Sequence, residues 1–247
     1  MRKPATRLRP LLLTLTIAAA STDAVSYLGL GHVFPANMTG NTVLLGVGVA
    51  SHDYPSAARS AVALGAFLLG AGIVGAGPPK LDVRWVLRGE FLLIALAAAW
   101  WSVVGTPTGG DRYGLIALVA GAMGVQSAAV ARLRVSGVTT TYITGTWTAV
   151  STWVGAHLRR AADAPPADRS SSSQHALQVM VLACYVCAAL GAGFAFHAAG
   201  APAAWIPVAA AAASAFALIM RGHSVSASRE QPQRPGRRLS RTDHRGG

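Results

Sequence analysis

The sequence predicts an all-α fold, a polytopic membrane helical bundle. Two observations predict it. The chain has 247 residues, of which 52% are apolar and only 12% are charged, whereas a soluble domain has about 25% charged residues. The charges are also unevenly placed, because long apolar windows alternate with short clusters of arginine and lysine. Uncharged windows of about 18 residues or more are typical of helices that span a bilayer.

Six apolar windows predict full spans, and we expect them at residues 11–31, 57–77, 91–104, 113–131, 176–197 and 203–220. The first window follows a basic flank, as in a signal peptide. Its apolar run continues to Val33, so we interpret it as a retained span. In the second window, Gly65, Gly70, Gly72 and Gly75 predict a close approach of helix backbones.

The basic residues lie between the spans and give a net charge of +12. One cluster contains Lys80, Arg84 and Arg88, and we interpret Asp82 and Glu90 as acids that partly offset it in the same loop. A basic bias of this kind is typical of cytoplasmic loops. Nucleic-acid binding would need a folded basic face with interleaved aromatic residues, so we expect no nucleic-acid partner.

Two short threonine-glycine motifs recur in the apolar sequence. The first comprises Asn37, Thr39, Gly40 and Asn41, and the second comprises Thr144, Gly145 and Thr146. Each follows an apolar span; the first of these spans carries Asp23 and the second carries Gln126. These matched positions predict a duplication.

The duplication divides the chain into four regions. We expect a first membrane repeat at residues 11–106 and a second at residues 107–220, interrupted by a polar loop at residues 159–175. A basic cytoplasmic segment at residues 1–10 precedes them. The Arg-rich residues 221–247 follow, and we expect this tail to be disordered because it has too few apolar residues to bury a core.

The path of the two motifs decides the topology. If both motif segments cross the membrane, the chain has eight spans and parallel halves, and several basic loops lie outside. If both are half or re-entrant helices, the chain has six full spans and the repeat is inverted. All the basic regions, including both termini, then lie in the cytoplasm, as the positive-inside rule favours. We predict the six-span arrangement, although residues 138–158 are long enough to span on their own.

The polar groups within the spans predict a binding site. A carboxylate in the bilayer core costs about 3 kcal/mol or more, so it normally faces a partner or a water-filled cavity. The amino end of a half-helix carries a partial positive charge that suits a polar ligand. The candidate substrate-binding residues are Asp23, Asn37, Thr39, Gly40, Asn41, Gln126, Thr144, Gly145 and Thr146. The alternative interpretation is that the same groups serve only as helix caps and helix-packing contacts.

The sequence resembles the YoaK family, also called DUF1275 or UPF0700. The run from Asp23 to Gly29 and the run Phe34-Pro35-Ala36-Asn37-Met38-Thr39-Gly40-Asn41-Thr42 are similar to its first signature. Residues 124–127 and 140–146 resemble its second signature, although Ser127 stands where the family more often has asparagine. The resemblance covers residues 11–220. It implies a bacterial multi-pass inner-membrane protein and names no substrate.

The leading functional hypothesis is a small-solute transporter or permease with a polar site at the membrane midplane. Its expected partners are the lipid bilayer, a small solute and further copies of the same chain. The alternative is a non-transporting membrane scaffold or partner protein. The sequence has no metal-ligand spacing and no nucleophile motif, so we expect no metal, no cofactor and no enzymatic activity. An enzyme would need a titratable pair, for which Asp23 and His32 are the nearest suggestion.

Overall fold

The computed structural model describes residues 4–78, 81–133, 143–160 and 169–229, with side chains at 8–78, 81–133, 143–155 and 176–218. These residues form eight α-helices and a short 3-10 turn, with no strand among them, which confirms the all-α prediction. The helices are α1 (Pro4–Gly29), α2 (Met38–Ala50), α3 (Tyr54–Ala76), α4 (Val83–Val104), α5 (Gly109–Arg132), α6 (Ile143–Arg160), α7 (Arg169–Ala199) and α8 (Trp205–Arg229); the turn is Ala201–Ala204.

Six of the described segments are long and apolar enough to cross a membrane, which confirms the predicted number of spans. They are Leu8–Gly29, Tyr54–Ala76, Val83–Val104, Gly109–Arg132, Ala176–Ala199 and Ala201–Leu218. Helix α2 has only 13 residues. At 1.5 Å per residue it is about 20 Å long, which is shorter than the roughly 30 Å hydrocarbon core. Helix α6 is not among the six segments.

The helices pack as a central ring with two outer pairs. In the ring, α1 and α4 each contact both α5 and α8. One outer pair is α2 and α3, in which α2 packs on α3 and α3 packs on α5. The other is α6 and α7, in which α6 packs on α7 and α7 packs on α1. Exchanging α1–α4 with α5–α8 therefore leaves this set of helix pairs unchanged.

Contacts along the helices give their directions. Helices α3 and α5 are parallel, because Gly70 meets Gly121 near the middle of both, and Arg132 bonds to the carbonyl oxygen of Gly77 where both end. Helices α1 and α7 are also parallel, since Tyr185 contacts Asp23 and Phe196 approaches Gly29. Short turns reverse the chain between α4 and α5 and between α7 and α8. The ends of α1, α4 and α7 meet at Trp101, which approaches Gly29 and Phe196, so these three helices run one way, and α3, α5 and α8 run the other.

The predicted glycine packing holds at one of four positions in α3. A methyl group on Gly70 would collide with the carbonyl oxygen of Gly121 on α5. Next to this contact, a methyl group on Gly124 of α5 would collide in the same way with the carbonyl oxygen of Phe67 on α3. A methyl group on Gly65, Gly72 or Gly75 would meet nothing within 4 Å. Only Gly70 among the four lets two helix backbones meet.

The structure changes three predicted boundaries. Helix α4 begins at Val83, so Glu90 lies inside a span and not in the basic loop. The polar loop is shorter than predicted, because α6 runs to Arg160 and α7 begins at Arg169. Helix α8 continues to Arg229, so the first part of the predicted disordered tail is helical, and residues 230–247 lie outside the described residues.

Candidate functional site

The carboxylate of Asp23 joins three separate segments inside the bundle. Asp23 is 4% exposed and lies on α1, six residues before the helix ends at Gly29. Its Oδ1 accepts a hydrogen bond from the backbone N–H of Ala36 at 2.7 Å, just before α2. Its Oδ2 accepts a hydrogen bond from the hydroxyl of Tyr185 on α7 at 2.9 Å. At 1.5 Å per residue, the chain leaving α1 therefore returns about 9 Å into the bundle before α2 begins.

Two asparagines of the first motif fix this return of the chain. Asn37 caps α2, because its Oδ1 accepts a hydrogen bond from the N–H of Gly40 at 3.2 Å. The side chain of Asn41 is fully buried and pairs with the backbone of Phe34. Its Nδ2 donates to the Phe34 carbonyl at 2.6 Å, and its Oδ1 accepts from the Phe34 N–H at 3.0 Å. Asn37 thus satisfies an N–H group that a helix start leaves free, and Asn41 satisfies both backbone groups of Phe34 in the segment before the helix.

An open cavity of about 300 Å³ adjoins Asp23. Its walls come from α1, α7 and the chain before α2, and they comprise Ala20, Asp23, Ala24, Tyr27, Leu28, Phe34, Tyr185, Ala189 and Gly193. The rings of Tyr27 and Phe34 stack, with centroids 4.9 Å apart. A groove of about 430 Å³ shares three of these α7 residues and continues to His197. The cavity is at the small end of the usual range for ligand pockets, about 300–1,000 Å³.

The second motif lies at the start of α6. Thr146 is 4% exposed, whereas Thr144 and Gly145 are exposed. Thr140, Thr141 and Tyr142, which belong to the same signature, lie outside the described residues. The buried third position matches the first motif, where Asn41 is buried and Thr39 is exposed.

Gln126 occupies a different part of the bundle from Asp23. It is fully buried on α5, and its Nε2 donates a hydrogen bond to the carbonyl oxygen of Leu15 on α1 at 3.1 Å. Leu15 precedes Asp23 by eight residues, which corresponds to about 12 Å along the helix. The two polar span residues thus both involve α1, but at different depths.

The structure brings together only some of the predicted site residues. Asp23, Asn37, Gly40 and Asn41 surround the chain that leads into α2. Gln126 lies deeper in the bundle, and Thr144, Gly145 and Thr146 lie at the start of α6. Helix α2 packs on α3 and α6 packs on α7, and no extensive packing joins α2 to α6 among the described residues.

Sequence reasoning missed two residues. Tyr185 lies in an apolar stretch between Cys184 and Cys187, where no motif indicates a functional residue. A hydroxyl group in the middle of a span is the one feature that could have indicated it. Glu90 was placed in a loop because of the neighbouring arginines. The helical spacing of Val86, Leu87, Glu90 and Ile94, all buried on one face of α4, is the signal that could have found it.

The suggested enzymatic pair does not form a contact. The ring of His32 lies edge-on to Tyr27 with centroids 4.8 Å apart, whereas the carboxylate of Asp23 bonds to Ala36 and Tyr185. Among the described residues, no group of three or more histidine, cysteine, aspartate or glutamate side chains could hold a metal ion.

These features define a polytopic integral membrane protein with a buried carboxylate beside an open cavity. The family model described as "Protein of unknown function (DUF1275)" matches residues 11–217, and the chain belongs to this family. The chain is similar to UPF0700 transmembrane protein YoaK of Bacillus subtilis (strain 168), with 33% identity over 144 residues. The match covers 55% of this chain and 62% of that protein. No solved structure shows significant similarity.

Proposed function

We propose that the protein is a small-solute transporter or permease whose substrate binds in the cavity at Asp23. The observation that carries the proposal is the carboxylate that adjoins a cavity of about 300 Å³ and is held by both α7 and the chain before α2. Acidic residues within membrane spans commonly mark substrate or ion pathways.

The helix packing supports an inverted repeat. Helices α1, α3 and α4 of the first half run in the opposite sense to their counterparts α5, α7 and α8 of the second half. The packing of α3 on α5 corresponds to that of α7 on α1. Transporters commonly bind substrate between two inverted repeats and move one repeat against the other. The bond between Asp23 on α1 and Tyr185 on α7 joins the two halves, so a movement between them would change the site directly.

The cavity chemistry favours a small cation or a solute that donates hydrogen bonds. The carboxylate of Asp23 accepts hydrogen bonds, and the aromatic rings of Tyr27 and Phe34, which suit a cation, line the same cavity. Most of the remaining wall is formed by alanine, glycine and leucine side chains. A small solute with one polar or cationic end fits this combination.

The proposal includes a location in the bacterial cytoplasmic membrane with both termini in the cytoplasm, and the charge distribution supports it. Arg84, Arg88 and Arg132 lie where α4 begins and α5 ends, which is one face of the bundle. Helix α1 begins at the same face, because it is parallel to α4. Basic residues near the ends of spans favour the cytoplasmic side.

A non-transporting scaffold is the second candidate, and the motif geometry favours it. Asn37 and Asn41 use their amides on nearby backbone groups. Thr39 and Thr144 are exposed on the outside of the bundle. Under this alternative, the motifs hold the short helices in place and present their outer faces to another protein.

Solute flux into proteoliposomes distinguishes the two candidates. Wild-type protein is reconstituted and tested with ethanolamine, choline, glycerol and urea. We expect uptake of at least one of them above that of empty vesicles, and loss of this uptake in Asp23→Asn. Asp53→Asn is the matched control, because Asp53 caps α3 outside the cavity by accepting from the N–H of Ser56, and asparagine caps equally well.

Two outcomes would contradict the transport proposal. One is that no solute of the panel enters faster than into empty vesicles. The other is that Asp23→Asn and Asp53→Asn transport equally well. The scaffold alternative predicts that Asp23→Asn lowers thermal stability and that no solute of the panel changes this stability.

A further inference from the structure

A layer of polar side chains crosses the central ring of helices at some distance from the Asp23 cavity. Each ring helix contributes a polar side chain that is fully buried: Thr16 from α1, Glu90 from α4, Gln126 from α5 and Ser214 from α8. None of the four lines the cavity at Asp23.

Two apolar clusters lie on either side of this layer, one towards each end of the bundle. Glu90 illustrates the arrangement on α4: Leu87, about one turn before it, belongs to one cluster, and Ile94, about one turn after it, belongs to the other. The same holds on α5, where Gln126 lies between Met123 of one cluster and Ala129 of the other. The layer is therefore separated from both membrane faces by apolar packing.

Three of the four layer residues have hydrogen-bond partners. The hydroxyl of Thr16 donates to the carbonyl oxygen of Leu12 at 2.8 Å, and that of Ser214 donates to Ala211 at 2.7 Å. Gln126 donates to Leu15. Glu90 differs, because neither of its carboxylate oxygens has a hydrogen-bond partner within the described part of the chain.

No charged side chain of the described residues compensates Glu90. On its own helix, Arg84 pairs with Asp82 and Arg88 lies over the ring of Trp85. The elements packed against α4 are α5, α8 and the 3-10 turn. The titratable residues of α5 are Asp111, Arg112 and Tyr113 at its start and Arg132 at its end, and residues 201–218 contain none. On α1, Arg9 and Asp23 each lie seven residues from Thr16, or about 10 Å along the helix.

An ionised carboxylate in this position would be buried without a partner or a counter-charge, which is strongly unfavourable inside a membrane. The carboxylic acid form avoids that cost. As an acid, however, Glu90 makes no hydrogen bond that locks helices together. An apolar side chain would fill the same space without any desolvation cost, so packing alone does not account for a glutamate here.

We propose that Glu90 is a proton-binding site at the centre of the helix ring. The side chain holds its proton while the two apolar clusters enclose the layer, and it releases the proton when water reaches the layer. This site is distinct from the Asp23 cavity, and the proposal does not require that Asp23 bind a solute.

The two acidic residues within the bundle differ in a way that an experiment can measure. Asp23 accepts hydrogen bonds on both oxygens, and such bonds offset part of the desolvation that favours the acid form of a buried carboxyl group. Glu90 accepts none. An apolar carbodiimide reacts with protonated carboxyl groups, because the O–H adds across one C=N bond and the acylisourea then rearranges to a stable N-acylurea. Glu90 is therefore expected to react faster than Asp23.

Dicyclohexylcarbodiimide labelling of the whole protein in liposomes tests the proposal. Mass spectrometry of peptides should locate the adduct at Glu90, with less at Asp23. Well above the midpoint, the labelling should fall about tenfold per pH unit, as expected for one titrating group. A water-soluble carbodiimide should label the exposed Asp53 and Asp82 instead. Absence of an adduct at Glu90, or labelling of Glu90 that is independent of pH, would overturn the proposal.

Infrared spectroscopy of the wild type gives a second test that needs no variant to fold. A protonated carboxyl has a C=O band distinct from that of the carboxylate. We expect this band at neutral pH, a shift in D₂O, and its loss in alkaline buffer. The part of the band that Glu90 contributes should be missing in Glu90→Gln, so the band should be weaker there than in the wild type and in Asp53→Asn. A band that resists both D₂O and alkaline buffer would mean a proton that never exchanges, which contradicts a proton-binding site.

Discussion

Tyr185 on α7 donates a hydrogen bond to Asp23 on α1 across 2.9 Å, although the two residues lie 162 positions apart in the chain. Tyr185 belongs to the second half of the chain and Asp23 to the first. The same carboxylate also receives the N–H of Ala36, which directs the chain into α2. One side chain thus connects both halves of the bundle and the first motif.

Tyr185→Phe should reduce solute flux strongly and lower the free energy of unfolding only slightly. The substitution removes one hydroxyl and keeps the ring. Hydrogen bonds between membrane helices contribute on average about 0.6 kcal/mol, so the free energy of unfolding should fall by about that amount. If the bond couples the two halves during transport, flux of the solute identified in proteoliposomes should fall much further.

The contrary result would be a loss of stability with unchanged flux. Tyr54→Phe is the matched control, because the hydroxyl of Tyr54 lies outside the cavity, where it contacts His52 at 3.2 Å. This variant should change neither quantity.

Gly70→Ala should destabilise the bundle, whereas Gly72→Ala should not. The added methyl group at position 70 would meet the carbonyl oxygen of Gly121, a backbone atom that cannot move aside easily. Overpacking of this kind costs about 1–3 kcal/mol. At position 72 the methyl group would meet nothing within 4 Å, and alanine favours a helix over glycine. Thermal unfolding in detergent should show a lower midpoint for the first variant only; equal midpoints would contradict the packing of α3 on α5.

Asn41→Leu should destabilise the start of α2. Leucine is close to asparagine in size, but it leaves the N–H and the carbonyl oxygen of Phe34 without their partner. A buried group left unpaired costs about 1–3 kcal/mol. Asn37→Ser, which keeps a side-chain oxygen at the helix cap, should cost only a few tenths of a kcal/mol. Thermal unfolding of both variants measures the difference, and similar midpoints would show that Asn41 does not hold the chain before α2.

The spans were predictable from the sequence because composition and length report directly on the bilayer. A polar partner for Asp23 was also predictable, since a carboxylate in a span normally faces a partner or a water-filled cavity. That this partner is Tyr185 was not, because no local pattern specifies which of several distant helices packs against α1. The sequence assigns Glu90 to a loop because the nearby Arg84 and Arg88 are typical of loops between spans. Long arginine side chains can, however, reach the membrane surface from the end of a span. Gly70 and Gly72 look alike in sequence, and only the position of α5 distinguishes them.

Residues 51 and 84 should be accessible from opposite faces of the membrane. Ser51 lies between α2 and α3, and Arg84 lies in the first turn of α4. Helix α3 crosses the bundle between them, so their faces differ. Single cysteines at these positions, with Cys184 and Cys187 replaced by serine, should react with an impermeant maleimide from outside at 51 and from inside at 84. Labelling of residue 84 from outside would instead favour eight spans with parallel halves.

The most direct test of the transport proposal is the accessibility of the Asp23 cavity from each face of the membrane. Ala189 lines this cavity, and Ala189→Cys in the background without Cys184 and Cys187 adds only a small thiol. A transporter must open the cavity to both sides. We therefore expect an impermeant maleimide to label this cysteine in right-side-out and in inside-out vesicles, whereas Ala63→Cys, fully buried on α3, should stay unlabelled. Labelling of Ala189→Cys from one face only, or from neither, would contradict the proposed transport function.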